Sequence, residues 1–557
     1  MAGGSLHQVM GVFKEGARNA QLVRLESAWM AFNGTMWGAW LALIVWAFLH
    51  GGAAASSLMV VVQLAPCAIL APLLGALPDR FRPGRVLFFA YLAMAASTAA
   101  LAGAIAAGAP VWVVYALAPS LTLAASVPRP AQAALLPAIV RTPAELTAGN
   151  VLAGWMEALS VMIAPAVTGA LIGVGGPALG LGALAALAVC GAVLVVGAPG
   201  PRPLGAGAHE GRPSIIGEVR DGIGAVAHDR AARILVLVLG SQFILIGALD
   251  IIYVVLAMSV LGMGESGSGY LTSAFGLGGL IGAGLTALLI ARRRIAPALV
   301  GSLVVVAISL GALGLYPTVV SAFALLAVAG ISRTALDVTG RILLQRSVAP
   351  GLIAKVFGLL ESLMDVGLLL GAILVPVLVG ASGAEAALIG LGILFAVIAV
   401  ATLRGLWSVD AAATVPLVEI NLLHTIPLFA PLPPQALEGL ARALVPRHAP
   451  AGETLVLEGD FGGDYFAVAG GEVTVTHAGR EVARLGRGEG FGEIALLHDV
   501  PRAATVTAVT AVDLFSLAKE PFIATLTQQE AAAELAAGVV AERLAGLRAA
   551  EGAVVET

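Results

Sequence analysis

Glu493 and Arg502 lie nine residues apart (502 − 493) in FGEIALLHDVPRAATV, Phe491–Val506. An arginine is a planar, permanently charged fork that matches the oxygens of a phosphate or carboxylate. A short helix expected after Gly492 would present backbone N–H groups, that of Ala495 among them, at its positive end. Glu493 adds an acceptor, Ile494 lies beside it, and Ala503 and Ala504 keep the surroundings of Arg502 small. The set suits capture of a small anion.

A second set of reactive groups lies in apolar sequence. Glu157, Asp250, Glu361 and Asp365 interrupt long hydrophobic stretches, and Glu26 stands at the entry to the first. Ionisable residues inside a bilayer are costly and mark ion or substrate paths, so these are candidate proton carriers. Asp250, within LGSQFILIGALDIIYVVL and near Gln242 and Tyr253, is the strongest of them. Glu157 and Glu361 fall near span ends, where they can also simply reach water.

The elements that carry these groups follow from composition. Of 557 residues, 59% are hydrophobic and 11% charged, against about 25% charged in a soluble domain. Windows of about 20 apolar residues fall near 27–48, 55–77, 85–107, 110–135, 146–172, 178–198, 232–260, 268–291, 296–315, 317–338, 354–381 and 385–404. That is twelve expected spans. Arg and Lys cluster after the even-numbered spans, and the odd-to-even connections have none. The positive-inside rule then puts both termini in the cytoplasm of a multi-pass plasma-membrane protein. No cleavable signal peptide is visible, so the first span is expected to act as an anchor. The connection 199–231 divides the spans into halves of about 1–198 and 232–405. Its segment SIIGEVRDGIGAVAHD has the pattern of a surface-lying amphipathic helix. Arg129 and Arg333 are 204 apart (333 − 129), as are Glu157 and Glu361 (361 − 157), an echo expected of repeated six-span halves. Cys67 and Cys190, both in apolar stretches, are expected as small core residues. Neither a metal site nor a nucleic-acid partner is expected from this composition.

The stretch GALPDRFRPGR, Gly75–Arg85, resembles the cytoplasmic loop of the major facilitator superfamily, with its Gly-Arg pair two residues late. VPRPAQAALLPAIVRTPAELTAGN followed by APAVTGALI is similar to the drug and siderophore exporters of that superfamily. The departure is Ala164 before Pro165, where a Gly-Pro pair is usual. The resemblance implies a twelve-span 6+6 α-helical fold over residues 1–405. Asp79, flanked by Arg80, is then expected to pair with Arg85 or Arg129, or to cap a helix, as a cytoplasmic gate. Span one carries Trp29, Trp37, Trp40 and Trp46, with Asn33 between them. Trp29 and Trp46 fit interfacial anchors; Trp37 and Trp40 either line a substrate cavity or pack against neighbours.

A connector over 406–420 leads to a tail, 421–557, with more charge and strand-like alternation. TLVLEGD, YFAVAGGEVTVTH, EVARLG and TVTAVTAVDLFSL are expected strands, with helices at 433–444 and 528–550: a small β-roll between helices. EGDFGGDYF, the Gly470-Gly471-Glu472 turn and FGEIALLHDVPRAATV resemble, in order, the cyclic-nucleotide-binding domain. The resemblance implies that Arg502 and the N–H of Ala495 hold a cyclic phosphate. It gives Glu493 the ribose 2′-hydroxyl, counts Gly492, Ile494 and Ala503 among the binding residues, and lets Ala504 and Thr505 complete the pocket wall. Ala503 stands where members that prefer cyclic GMP carry a hydroxyl, so cyclic AMP is the expected regulatory ligand, with no other cofactor. The terminal helix lacks an aromatic residue, and Val539, Val540 or Leu544 are candidates to cover the base.

Together these features predict a secondary transporter, not an enzyme, that exports a small amphiphilic compound, with protons as a candidate coupling ion. A non-transporting membrane receptor and a lipid-moving member of the same fold are the alternatives. A nucleotide-driven pump is disfavoured because no G-x-x-x-x-G-K-[ST] loop occurs. The terminal helix is a candidate surface for pairing with a second copy.

Overall fold

The computed structural model describes residues 19–197, 223–412, 417–527 and 535–545, apart from positions 76, 225, 228, 291–293, 349 and 499. It divides into two compact units, Met1–Ala413 and Thr414–Thr557.

The first unit is helical. Its helices are α1 (Ala20–Gly75), α2 (Leu77–Arg80), α3 (Pro83–Ala106), α4 (Val111–Ala125), α5 (Pro128–Ile139) and α6 (Pro143–Leu194). After the long connection come α7 (Arg230–Val255), α8 (Gly264–Ile290), α9 (Ala296–Leu315), α10 (Val319–Ser347) and α11 (Pro350–Ala412). A π-helical turn, Leu256–Val260, closes α7. Among the described residues, eight helices are long and apolar enough to cross a membrane. Three of the longest runs are broken: α1 at Gly51–Gly52, α6 at Gly175–Gly176 and α11 at Gly383. Gly52, Gly176 and Gly383 have φ of 64°, 70° and 87°, a region that favours glycine. Each break falls between two of the apolar windows expected from sequence.

Local signals set the helix starts. Pro83, Pro128 and Pro143 open their helices, where the missing N–H costs nothing. Asp229 accepts from the N–H groups of Ala231 (2.7 Å) and Ala232 (3.1 Å), and Thr318 forms a capping box with Ser321.

The unit has one continuous apolar core. Helix α1 packs on α6, α7 on α11, α8 on α10, and α8 also on α6. Small residues bring these backbones together. A Cβ on Gly247 would meet the carbonyl of Leu368, and one on Gly371 that of Ile244. A Cβ on Gly269 would meet the carbonyl of Pro165. This is the small-residue packing of helices in lipid, where burial of apolar surface gives little drive.

Several expectations change here. The first residues of the expected 406–420 connector continue α11 through Ala412. Leu406 and Val409 are buried in the core, and Asp410 Oδ1 accepts from the N–H of Ile295 (3.1 Å), so packing holds this segment as helix. Cys190 is exposed, not a core residue, and Cys67 is half-buried; both are free thiols. Most of SIIGEVRDGIGAVAHD lies outside the described residues.

The second unit opens with α12 (Leu417–Thr425) and α13 (Pro434–Ala443). The strands are β1 (Val445–Ala449), β2 (Thr454–Val456), β3 (Asp464–Gly470), β4 (Val473–His477), β5 (Arg480–Leu485), β6 (Gly490–Phe491), β7 (Thr505–Ala508) and β8 (Val512–Ala518). Helix α14 (Glu493–His498) lies between β6 and β7, and α15 (Lys519–Thr527) follows β8. A further helix, α16, covers residues 535–545. The strands form two antiparallel four-stranded sheets, ordered β1-β8-β3-β6 and β2-β7-β4-β5. Alternation along β3 builds two cores. Phe466 stacks on Phe491 (5.1 Å) inside the roll, while Tyr465 points the other way, against Phe522 (5.1 Å) and Phe429 (5.4 Å).

Substituting Gly371→Val should lower stability by about 1–3 kcal/mol through overpacking against α7. Gly301→Ala, in open space on α9, should not. Thermal unfolding of the detergent-solubilised protein compares the two.

Candidate functional site

In the tail, the β6–α14 corner builds the site. Gly492 has φ 99°, and its carbonyl accepts from Arg502 Nη1 at 3.1 Å. A Cβ there would stand 2.5 Å from that nitrogen, so both the turn and the close approach require glycine. Arg502 Nη2 donates to the carbonyl of Asp464 at 2.7 Å. The main chain of Arg502 is fixed as well: its N–H donates to Asp460 O (2.8 Å), and its carbonyl accepts from Gly459 N (2.9 Å). The EGDFGGDYF segment therefore clamps the arginine from two directions. The residue is 6% exposed, and its guanidinium sits 6.0 Å from the ring centre of Phe466. Burial pulls Arg502 below the ordinary arginine range, while Asp464 and Glu493 act in the opposite sense.

Glu493 is 2% exposed. Its Oε1 accepts from Arg543 Nη1 at 2.8 Å, and the same nitrogen donates to Gly490 O at 2.8 Å. Its Oε2 is buried without a hydrogen-bond partner among the described residues. A buried carboxylate oxygen in that condition is a strong acceptor for a donor brought by a ligand. Gly492, Glu493, Ile494, Ala495, Arg502, Ala503 and Ala504 all line one cavity of about 660 Å³. The expected pocket residues are thus brought together. Of the three candidates for a cover, Val539 lines the cavity, whereas Val540 is 3% exposed and part of the packed interior. Sequence reasoning missed Arg543. Its signal was available only as a basic residue one turn beyond Val539, next to Glu542, on a mostly apolar helix.

In the helical unit, Asp250 Oδ2 accepts from Trp40 Nε1 at 2.9 Å, joining α7 to α1. Trp37 Nε1, Asn33 Oδ1 and Tyr253 Oη are buried without partners among the described residues. Asn33 Nδ2 donates to Trp29 O at 2.9 Å. Trp40 thus contacts the leading carboxylate. Trp29 and Trp46 are buried, at 4% and 3% exposure, and are not interfacial anchors. Trp29 lies under Arg129, whose guanidinium carbon is 5.3 Å from the ring.

Arg129 pairs with Glu157 at 2.9 Å. In the second half Glu361 pairs with Arg341 at 3.3 Å, and Arg341 also binds Asp337 at 3.0 Å. The partner of Glu361 is thus Arg341, two helical turns beyond Arg333, and Arg333 Nε is buried without a partner among the described residues. Glu157 and Glu361 are thus both held in ion pairs. Asp365 lies within electrostatic reach of Glu361 and of Cys67. Arg80 and Arg85 are exposed; the side chain of Asp79 lies outside the described residues.

Comparison with known proteins matches residues 28–331 to the Major Facilitator Superfamily and residues 446–529 to the cyclic nucleotide-binding domain. A cyclic nucleotide-gated potassium channel of Rhizobium etli is 43% identical over 97 residues, 17% of this chain and 27% of the channel. A cAMP-dependent protein kinase regulatory subunit of Neurospora crassa is 36% identical over 104 residues, 18% of this chain and 27% of that protein. This chain therefore spans about a quarter of the length of these curated relatives. Among solved structures, the regulatory domain of Toxoplasma gondii PKA with cAMP is 34% identical, covering 21% of this chain and 46% of that one at a TM-score of 0.20. The catabolite activator protein of Thermus thermophilus is 31% identical, covering 23% and 63% at a TM-score of 0.21.

Removing the Arg543 cation should leave Glu493 buried and unpaired. Because Arg543 is one-third exposed, Arg543→Ala should destabilise the tail by roughly 1–3 kcal/mol, below the full cost of breaking a buried pair. Adding Glu493→Gln should recover part of that loss. Urea unfolding, followed by a probe in the tail, measures both.

Proposed function

Because the chain belongs to the Major Facilitator Superfamily and carries a cyclic nucleotide-binding domain, we propose that it is a secondary active transporter whose cycle is biased by cyclic AMP. The observation that carries the regulatory part is Glu493. One of its oxygens is held by Arg543, and the other is buried, unpartnered, in a residue that lines the cavity. A ribose hydroxyl supplies the missing donor. Arg502 and the N–H groups opening α14 supply positive potential for one cyclic phosphate charge. Ala503 on the cavity wall offers no hydroxyl to a guanine, which favours cyclic AMP. Relatives that bear cAMP in their names, at 36–38% identity in this region, support the same choice.

The transport part rests on twelve proposed spans in two sets of six, about 1–198 and 232–405, with both termini in the cytoplasm of a plasma-membrane protein. The proposed cargo is a small amphiphilic compound moved outward, with Asp250 as the coupling carboxylate. Its bond to Trp40 ties the protonation state of α7 to the position of α1, so loss of charge would release one helix from the other. The ion pairs Arg129–Glu157 and Arg341–Glu361 hold comparable positions in the two halves and suit a gate that opens in one state and closes in the other. No chemical step is assigned to the chain.

Cyclic AMP can shift the cycle only by its differential affinity for two transporter states. The test is calorimetry and proteoliposome flux on the full chain. Wild type should bind cyclic AMP, Arg502→Glu should abolish binding, and Glu493→Gln should weaken it by about 1–3 kcal/mol. Flux should change with cyclic AMP in wild type and not in Arg502→Glu. Equal flux with and without saturating nucleotide would sink the regulatory reading. Asp250→Asn should remove proton-driven flux while leaving nucleotide binding intact.

A further inference from the structure

A cleft of about 960 Å³ opens beside α1, α3 and α4. Its two ends differ in chemistry. At one end stand three arginines: Arg80 in α2, Arg82 in the turn after it, and Arg85 in the first turn of α3. All three are exposed, and no ion pair involves their side chains among the described residues. From that end the cleft follows α3 to Ser97, twelve residues on (97 − 85), or roughly 18 Å at 1.5 Å per residue. Apolar side chains dominate this length. Phe89, 64% exposed, and Ala93 face into it.

Those dimensions match one leaflet. Half of a hydrocarbon core is about 15 Å, so a cleft with its charged end at the helix termini runs about as deep as one acyl chain. A phosphate at the charged end meets guanidinium forks that bind it bidentately. Each basic side chain near the surface strengthens binding of an anionic lipid roughly fivefold. A zwitterionic lipid fills the same apolar length but gains little from three cations.

We propose that this cleft is a binding site for an anionic glycerophospholipid. Its phosphate lies against Arg80, Arg82 and Arg85, and one acyl chain runs past Phe89 and Ala93 toward Ser97. The site belongs to the helical unit alone, and it stands or falls separately from the nucleotide reading.

The experiment is native mass spectrometry of the full chain released from nanodiscs that contain equal phosphatidylglycerol and phosphatidylcholine. Wild type should retain phosphatidylglycerol in preference. The triple variant Arg80→Gln, Arg82→Gln, Arg85→Gln should lose that preference, with apparent affinity falling on the order of a hundredfold. Ala93→Trp keeps the charges but blocks the acyl path, and should lower retention too. Arg404→Gln, a charge outside the cleft lining, should leave retention unchanged. Equal retention of both lipids by wild type, or full retention by the triple variant, would overturn the proposal. Unchanged binding in Ala93→Trp would assign the effect to diffuse surface charge. Displacement of the lipid by glycerol 3-phosphate at matched phosphate concentration would mark a free-anion site; both results also overturn it. If the triple variant is not recovered, Arg82→Gln alone should lower retention about fivefold, and no change would count against the site.

Discussion

A carboxylate that is almost fully withdrawn from water needs a partner for each of its oxygens. Glu493 has one, Arg543 on α16, and its other oxygen is buried without a partner among the described residues. The corner that holds Glu493 depends on the same requirement. Gly492 lets the backbone pass close to Arg502, and the carbonyls of Gly492 and Asp464 fix the guanidinium. The EGDFGGDYF loop then closes around the Arg502 main chain. Two opposite charges are thus held near one another without neutralising each other directly. Each is oriented by separate partners, and both face the volume that an anionic, hydroxyl-bearing ligand would fill.

The helical unit solves a different problem. Its interior lacks the drive of apolar burial between helices, so close backbone approach takes over. Gly247 with Gly371, and Gly269 against Pro165, let α7 meet α11 and α8 meet α6. Against this tight packing, a few polar bonds stand out because each joins two helices: Trp40 to Asp250, Arg129 to Glu157, Arg341 to Glu361. They are the contacts that a change of protonation or of ligand can make or break without rebuilding the packing.

Much of this was legible in the sequence. The apolar windows and the paired glycines between them mark the helices and their breaks. The turn and cassette residues Gly492, Glu493, Ile494, Ala495, Arg502, Ala503 and Ala504 do line one cavity, because local backbone geometry there depends on residue type. What failed to show was long-range pairing. Arg543 sits beside Glu542 on a mostly apolar helix, and only tertiary structure brings it to Glu493, fifty residues away (543 − 493). The equal spacing of Arg129 and Arg333 carries no information about which arginine Glu361 meets. The pairing position is Arg341, two turns along the same helix, where it also meets Asp337. Trp29 and Trp46 have the composition of interfacial anchors, yet packing against Phe32, Tyr115 and the Arg129 guanidinium buries them. The end of α11 lies beyond the last apolar window, and it is the packing of Leu406 and Val409 in the core that holds it as helix.

That end of α11 has one more implication. Asp410 grips the amide of Ile295, so the last residues before the tail are fastened to the start of α9 as well as to their own helix. Displacing either end strains that one bond, so the final turn of α11 and the first turn of α9 are anchored to each other through a single carboxylate.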